Sequence, residues 1–522
     1  MKKLFTKIAL FGATAAVAFS FAACNSVGNG GEWSGGDWDG DDNWNGDAVA
    51  PDSPQGGAGG WDDGSVGGAG GNNYVYGEIV EHGFTDVADE PSSYFSLDRN
   101  TASYSHVRYQ IERGMNISPD SVRVEELINY FDYDFASPSD GAVGVNAYLS
   151  DCPWNEEHKL MLAGIKTVEK KTDSVNGNYV FLIDVSGSMS GDSRLGLAKK
   201  GLNKLVDNLG DGDKVSIVTY ASGVSTVLDG GECSEDGKAA IKSKINGLKA
   251  GGSTYGSAGL EKAYEIAEKE SNFITGGNNR VIIISDGDFN VGISSATTMM
   301  EYISGKAQSG VYLSVLGVGM GNMRDDMLET MARNGNGNYA YLDNETEAEK
   351  VLCHELNGML MTVAKDAKAG VTFEDTVVKY RLIGYDTKIL SQDEYEDNTT
   401  DAGELGSNLC VAALYEIELA ENAEGKLANV EVKYKDVTGE DETNETVSVE
   451  VTTSTTSSDD LSFIACVAEF GLVLRQSKYA ENASLISVLE RLEDLSEYVS
   501  ADLYRSEFVT LVGKASEKYN KD

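Results

Sequence analysis

Positive charge is what this 522-residue chain is short of: 42 Lys and Arg stand against 84 Asp and Glu, a formal net charge of −42. Nucleic-acid partners need basic patches that displace counterions, so the balance excludes them. It equally excludes adsorption by charge to an anionic membrane surface. Repulsion of acidic ligands is screened beyond about 8 Å at physiological salt, so a local metal can still recruit a carboxylate. Histidine is nearly missing, with only His82, His106, His158 and His354. Of these, His354 lies in Cys353-His354-Glu355, whose side chains diverge on a helix. No zinc motif, nucleophile elbow or phosphate loop is present, and no evident base stands beside a candidate serine. An enzyme is therefore not expected. Beyond Cys24 the cysteines are Cys152, Cys233, Cys353, Cys410 and Cys466, scattered and without Cys-x-x-Cys spacing. They suggest neither a zinc site nor a disulfide framework and read as small buried apolar residues.

Long apolar runs are also missing, and the one apolar stretch at the N-terminus is too short to span a bilayer. Lys2, Lys3 and Lys7 precede the apolar Ile8 to Ala18, and Phe21-Ala22-Ala23-Cys24 reads as a lipobox with Phe where Leu is commoner. Residues 1–23 are thus expected to be a lipoprotein signal peptide, with acylation of the Cys24 thiol after cleavage. That gives a bacterial envelope lipoprotein held at the membrane by its lipid anchor. Asn25 is no obvious inner-membrane retention signal, which favours the outer membrane, facing either the periplasm or the outside. Residues 24–76 are rich in Gly, Asp, Asn and Trp, and from 25 onward they hold no Lys or Arg. Such a stretch cannot bury a core and reads as a disordered tether spanning on the order of 40 Å. Asp37-Trp38-Asp39-Gly40-Asp41 hints at an EF-hand loop, but Asp42 and Ala48 occupy the positions that need Gly and Glu.

The stretch that carries chemistry is Tyr179-Val180-Phe181-Leu182-Ile183-Asp184-Val185-Ser186-Gly187-Ser188. An apolar run of strand length ends on an aspartate, as a fully buried parallel strand does at its carboxyl end. Period-two spacing sends Asp184, Ser186 and Ser188 the same way while the chain stays extended. One carboxylate and two hydroxyls make a hard-oxygen set suited to Mg²⁺ or Mn²⁺. A glycine-rich loop, Gly251-Gly252-Ser253-Thr254, and a second buried-strand pattern, Val281-Ile282-Ile283-Ile284-Ser285-Asp286-Gly287, follow in order. Asp-x-Ser-x-Ser, a threonine loop and a strand-terminal Ser-Asp-Gly together resemble the metal-ion-dependent adhesion site of von Willebrand factor A (VWA) domains. The resemblance implies that Asp184, Ser186, Ser188, Thr254 and Asp286 hold one divalent cation. It further implies an open coordination position, filled by an exposed Asp or Glu of a protein partner.

Alternating strand and helix patterns over 177–365 predict the α/β fold of such a domain, a doubly wound, mostly parallel, Rossmann-like sheet. Glu345 to Lys365 reads as its closing helix. Strand-like runs at Gly144 to Ile165, Gly370 to Phe373, Val377 to Ile383, Leu409 to Leu419, Val430 to Tyr434 and Val447 to Val451 find no room in that sheet. They are expected to form an antiparallel β-sandwich, 139–176 with 366–452, into which the α/β domain is inserted, a layout similar to the integrin hybrid domain. Residues 77–138 form an N-terminal segment, and 453–522 a helical extension whose third helix, around Phe508, Leu511 and Val512, is short. Val122-Arg123-Val124-Glu125-Glu126-Leu127-Ile128-Asn129-Tyr130-Phe131 and Gly335-Asn336-Gly337-Asn338-Tyr339-Ala340-Tyr341 resemble the YfbK-like family of bacterial VWA proteins. Two functions stay open at this stage: a metal-dependent, adhesion-type binding module, or a structural scaffold of the envelope whose VWA domain is not adhesive.

Overall fold

The computed structural model describes residues 76–519 other than 98, 171–175, 254–255, 288–295, 320–324, 356–357, 359–360, 401 and 438–441. The signal peptide, Cys24, the tether up to residue 75 and Thr254 lie outside the described residues. No helix among the described residues is long and apolar enough to cross a membrane.

Two short strands, β1 (Thr85–Asp86) and β2 (Ser92–Ser96), come first, followed by the helices Ala102–Glu112 and Val124–Ile128. Then come β3 (Val143–Asp151) and β4 (His158–Thr167). The α/β domain runs from β5 (Gly177–Asp184) through β6 (Lys214–Tyr220), β7 (Val224–Glu232), β8 (Asn278–Ser285) and β9 (Val311–Val318) to β10 (Tyr339–Leu342). After it the chain adds β11 (Thr362–Phe373), β12 (Val377–Ile383), β13 (Gly403–Gly406), β14 (Cys410–Leu419), β15 (Lys426–Asp436) and β16 (Thr443–Thr452). Helices Asp459–Arg475, Leu485–Asp494, Ser496–Ser500 and Leu503–Tyr519 close it.

In the α/β domain the strand order is β10-β9-β8-β5-β6-β7, parallel except where β7 runs antiparallel to β6. Both faces are covered, as an all-apolar strand requires. Tyr179, Phe181 and Ile183 enter the core under the helix Leu197–Asn208, while Val180 and Leu182 enter the opposite core with Leu260 and Tyr264. After β5 the chain steps to β6 on one side and later to β8 on the other. The carboxyl ends of β5 and β8 therefore flank a topological switch point, where ligands bind in open α/β sheets.

Around this domain lies the antiparallel sandwich, and its connectivity makes the domain an insertion between β4 and β11. One sheet runs β1-β12-β14-β4-β3; the other runs β13-β11-β15-β16, with β2 also pairing β11. Alternate residues of β4 explain why that strand reads as one apolar run. Met161, Ala163 and Ile165 pack between the sheets, while Leu160 and Leu162 pack under helices on the outer face. That helical layer joins the two ends of the chain, because Tyr104, Val107, Val124 and Leu127 share a core with Phe463, Phe470 and Phe508.

Two expectations are corrected, and one strand is added. The closing helix covers Glu345–Glu349 with a π turn over Lys350–His354, and the chain is already a strand from Thr362. Helix-forming alanines and lysines suggested otherwise, but Val363, Ala364, Ala367 and Ala369 are fully buried between the sheets, and tertiary pairing overrides propensity. The last helix is not short: it runs 17 residues because Arg505, Phe508, Leu511, Val512 and Ala515 keep one stripe buried. Strand β7 went unpredicted, since its half-exposed Val-Ser-Thr-Val-Leu-Asp-Gly-Gly-Glu pattern belongs to a sheet edge.

Cys152, Cys233, Cys353, Cys410 and Cys466 are free thiols.

Candidate metal centre

Asp184 ends β5 and is fully buried, and Asp286 directly follows β8 and is also buried. The two strands are neighbours in register, Ile183 opposite Ile284, so Asp184 is level with Ser285, and Asp286, one residue further on, lies near enough for its charge to act on the Asp184 carboxyl. Past Asp184 the chain turns. The Ser186 amide donates to Asp184 Oδ1 at 2.7 Å, and a 3₁₀ turn over Gly187–Met189 brings Ser188 Oγ to 2.9 Å from Ser186 Oγ. Met189 is buried and pins this turn to the core, leaving Ser188 exposed.

The glycine loop is fastened to the serine loop through the backbone. The Gly187 amide donates to the Gly252 carbonyl at 2.9 Å, and the Gly251 amide to the Val185 carbonyl at 2.7 Å. Gly252 has φ +89° and a Cβ there would strike Ser222 Oγ, so glycine is needed twice over. Ser222 Oγ in turn accepts from the Ser253 amide at 2.9 Å. Asp184, Ser186, Ser188 and Asp286 are thus brought together, with the loop that carries Thr254 joined to them.

Sequence reasoning passed over three groups here. Ser285 Oγ donates to Asp184 Oδ2 at 3.4 Å and accepts from the Gly287 amide at 3.2 Å. Tyr220, the last residue of β6 and opposite Asp184 in register, brings its hydroxyl to the same carboxylate. Ser222 braces the glycine loop. The position of Tyr220 at a buried strand's carboxyl end was the available signal.

Burial pushes the Asp184 carboxyl up to about 6, against hydrogen bonds from Ser186, and the nearby Asp286 charge adds to the rise. Asp286 Oδ1 is buried and has no hydrogen-bond partner among the described residues. A buried carboxylate oxygen without a partner, beside a second carboxylate and two converging hydroxyls, is a set that a hard divalent cation would satisfy. Nowhere among the described residues do three or more His, Cys, Asp or Glu side chains gather as a metal cluster. The residues fit the group.

Comparison with known proteins agrees with this layout. Residues 178–353 match the von Willebrand factor type A domain, and 71–162 match a further family described as von Willebrand factor. Residues 358–517 match the family described as "Uncharacterized protein YfbK, C-terminal". The Escherichia coli (strain K12) protein of that name is 36% identical over 469 residues, which is 84% of this chain and 80% of that one. The chain belongs to the YfbK family. Among solved structures, a von Willebrand factor type A protein from Catenulispora acidiphila covers 70% of this chain and 89% of its own, at 15% identity and a TM-score of 0.41. Proximal thread matrix protein 1 from the mussel byssus, solved with a zinc-occupied MIDAS motif, covers 34% of this chain and 45% of its own, at 22% identity and a TM-score of 0.29. VWA domains are commonly metal-dependent protein-interaction modules.

Proposed function

We propose that this YfbK-family chain is an envelope-tethered binding module rather than an enzyme. Asp184, Ser186, Ser188, Thr254 and Asp286 would hold one Mg²⁺ or Mn²⁺, and an exposed Asp or Glu of a protein partner would complete its coordination. The observation that carries this reading is the partnerless, buried Oδ1 of Asp286 beside Asp184. When bound, the cation would supply Lewis acidity toward an incoming carboxylate. The chain's own part is to hold the donors. Ser186 and Ser188 keep their hydroxyls together, Tyr220 and Ser285 orient Asp184, and Gly252 lets the threonine loop approach. Among the described residues, His158 is engaged by Glu416 at 2.6 Å and His82 by Asp386 at 3.1 Å, so neither is placed to act as a base for Ser186 or Ser188. Lipidation at Cys24 would anchor the module in the outer membrane.

The test is thermal unfolding of the full chain in EDTA and then in excess Mg²⁺ or Mn²⁺, with Asp184→Asn alongside. At a hundred times the dissociation constant the metal adds about 2.7 kcal/mol, seen as an upward shift of the transition in wild type only. Equal melting with and without metal would remove the binding reading and leave the scaffold role. For the anchor, Cys24→Ala should move the chain from the membrane fraction to the soluble one, and a wild type already soluble would defeat that part.

A further inference from the structure

We infer that Arg194 is a positioning residue of the metal site, acting through Ser188; the inference rests on the metal-binding reading above. Arg194 stands in a π turn, Asp192–Gly196, closed by the Gly196 amide donating to the Gly191 carbonyl at 3.1 Å. Such turns inside helical segments occur frequently at functional sites. This one aims the side chain back over the serine loop, where Arg194 Nη1 donates to the main-chain carbonyl of Ser188. The acceptor belongs to a metal-ligating residue itself and not to the surrounding scaffold.

A second contact fixes the other end of the side chain. Gly319, at φ +69°, follows β9, and a Cβ built there would overlap Cγ, Cδ and Nε of Arg194. Glycine at 319 therefore serves two needs at once, the left-handed backbone and a seat for the arginine stem. Stem on Gly319 and guanidinium on Ser188 together span from the end of β9 to the exposed turn that carries a ligand hydroxyl. Without that span, Ser188 keeps, among the described residues, its short turn, the Gly187–Gly252 backbone bond beside it and the hydroxyl contact to Ser186. Its Oγ distance of 2.9 Å to Ser186 Oγ would then widen into a range of positions. Groups that orient a metal ligand in this way typically change metal affinity by about 10–100-fold when removed.

The experiment is an Mn²⁺ titration of the full chain, read as a dissociation constant, for wild type, Arg194→Met, Arg194→Lys, Gly319→Ala and the Arg194→Met/Gly319→Ala pair. Arg194→Met keeps the stem and loses the donor, so Mn²⁺ binding should weaken roughly tenfold while melting in EDTA stays as in wild type. Arg194→Lys, which can still reach a carbonyl, should recover part of the loss. Gly319→Ala should weaken binding by displacing the stem, and the pair should bind no worse than the weaker single variant, because both act on one contact. Wild-type affinity in Arg194→Met overturns the inference, as does full additivity in the pair. If wild type binds Mn²⁺ and Asp184→Asn does not, the metal site stands and Arg194→Met alone decides. If wild type binds none, both the site and the inference fall.

Discussion

Glu126 is fully buried between two partners: the Ser103 amide donates to its Oε2 at 2.8 Å, and Arg123 Nε to its Oε1 at 2.6 Å. Burial pushes its carboxyl from an ordinary 4.5 up to about 7; Arg123 and Lys388 pull it down, and Glu329 and Glu125 push it up. A carboxyl whose folded value is raised stabilises the fold in its protonated form. That contribution is full below about 4.5 and is lost as pH rises through about 7. Glu126→Gln should therefore flatten the decline in unfolding free energy between pH 5 and pH 8, by up to about 3 kcal/mol. Denaturant titrations at the two pH values check this, and an unchanged slope in the variant would count against it. At this scale the sequence was most readable at strand ends, where Asp184 closes one buried strand and Asp286 follows another. Ser188 is different: the 3₁₀ turn over Gly187–Met189, not period-two spacing of an extended chain, brings it to Ser186. Ser285, Tyr220 and Arg194 were not readable, because each acts through a contact made by a different strand or turn.

The closing helix of the VWA domain shows how an element too short to be stable alone is kept in place. Helices of one or two turns are marginal in water. Here the N-terminal segment supplies the restraint. Arg108 reaches Asp343 Oδ2 at 2.9 Å, Glu347 Oε2 at 2.8 Å and Glu507 Oε2 at 3.6 Å, and Tyr130 donates to Glu347 Oε2 at 2.7 Å. Just beyond, Glu355 takes Lys350 at 2.6 Å and Arg99 at 2.8 Å. Arg108→Met leaves Asp343 and Glu347 buried without their cation, and removing one partner of a buried pair costs about 3–5 kcal/mol. Urea unfolding of the full chain should show that loss, with part of it recovered when Glu347→Leu is added. A loss below about 1 kcal/mol would place Arg108 among the dispensable surface pairs. The sequence foretold a closing helix here but extended it to Lys365. Where it ends is set by β11, whose partners β2, β13 and β15 lie far away in sequence.

For the whole molecule, the sandwich and its insertion were legible from a surplus: more strand patterns than one α/β sheet can use. The fusion of the two chain ends into a single helical layer was not. It depends on contacts such as Arg505 Nη2 to the Asp132 carbonyl at 2.7 Å and the Ile117 amide to Tyr519 Oη at 3.1 Å, between residues about 370–400 positions apart. No local pattern announces such pairs. The same N-terminal segment also enters the VWA domain, although that domain carries its own sheet. Ala102 lies in its core, Tyr109 packs against that core, and Arg108 neutralises two of its buried acids; all three come from the helix Ala102–Glu112. A fragment of residues 177–361 would expose that core at the β10 side and leave Asp343 and Glu347 uncompensated. It should unfold more easily than the same domain in the full chain, by on the order of 2 kcal/mol, because the apolar surface that Ala102 and Tyr109 cover returns to water. Urea unfolding followed at Tyr and hydrogen exchange on β9 and β10 would measure it. A fragment as stable as the intact chain at pH 8, with β10 amides equally protected, would show that the N-terminal helix merely lies against the domain. The expected outcome, a β10 edge that exchanges early in the fragment alone, would make the helix a working part of the domain that presents the metal site.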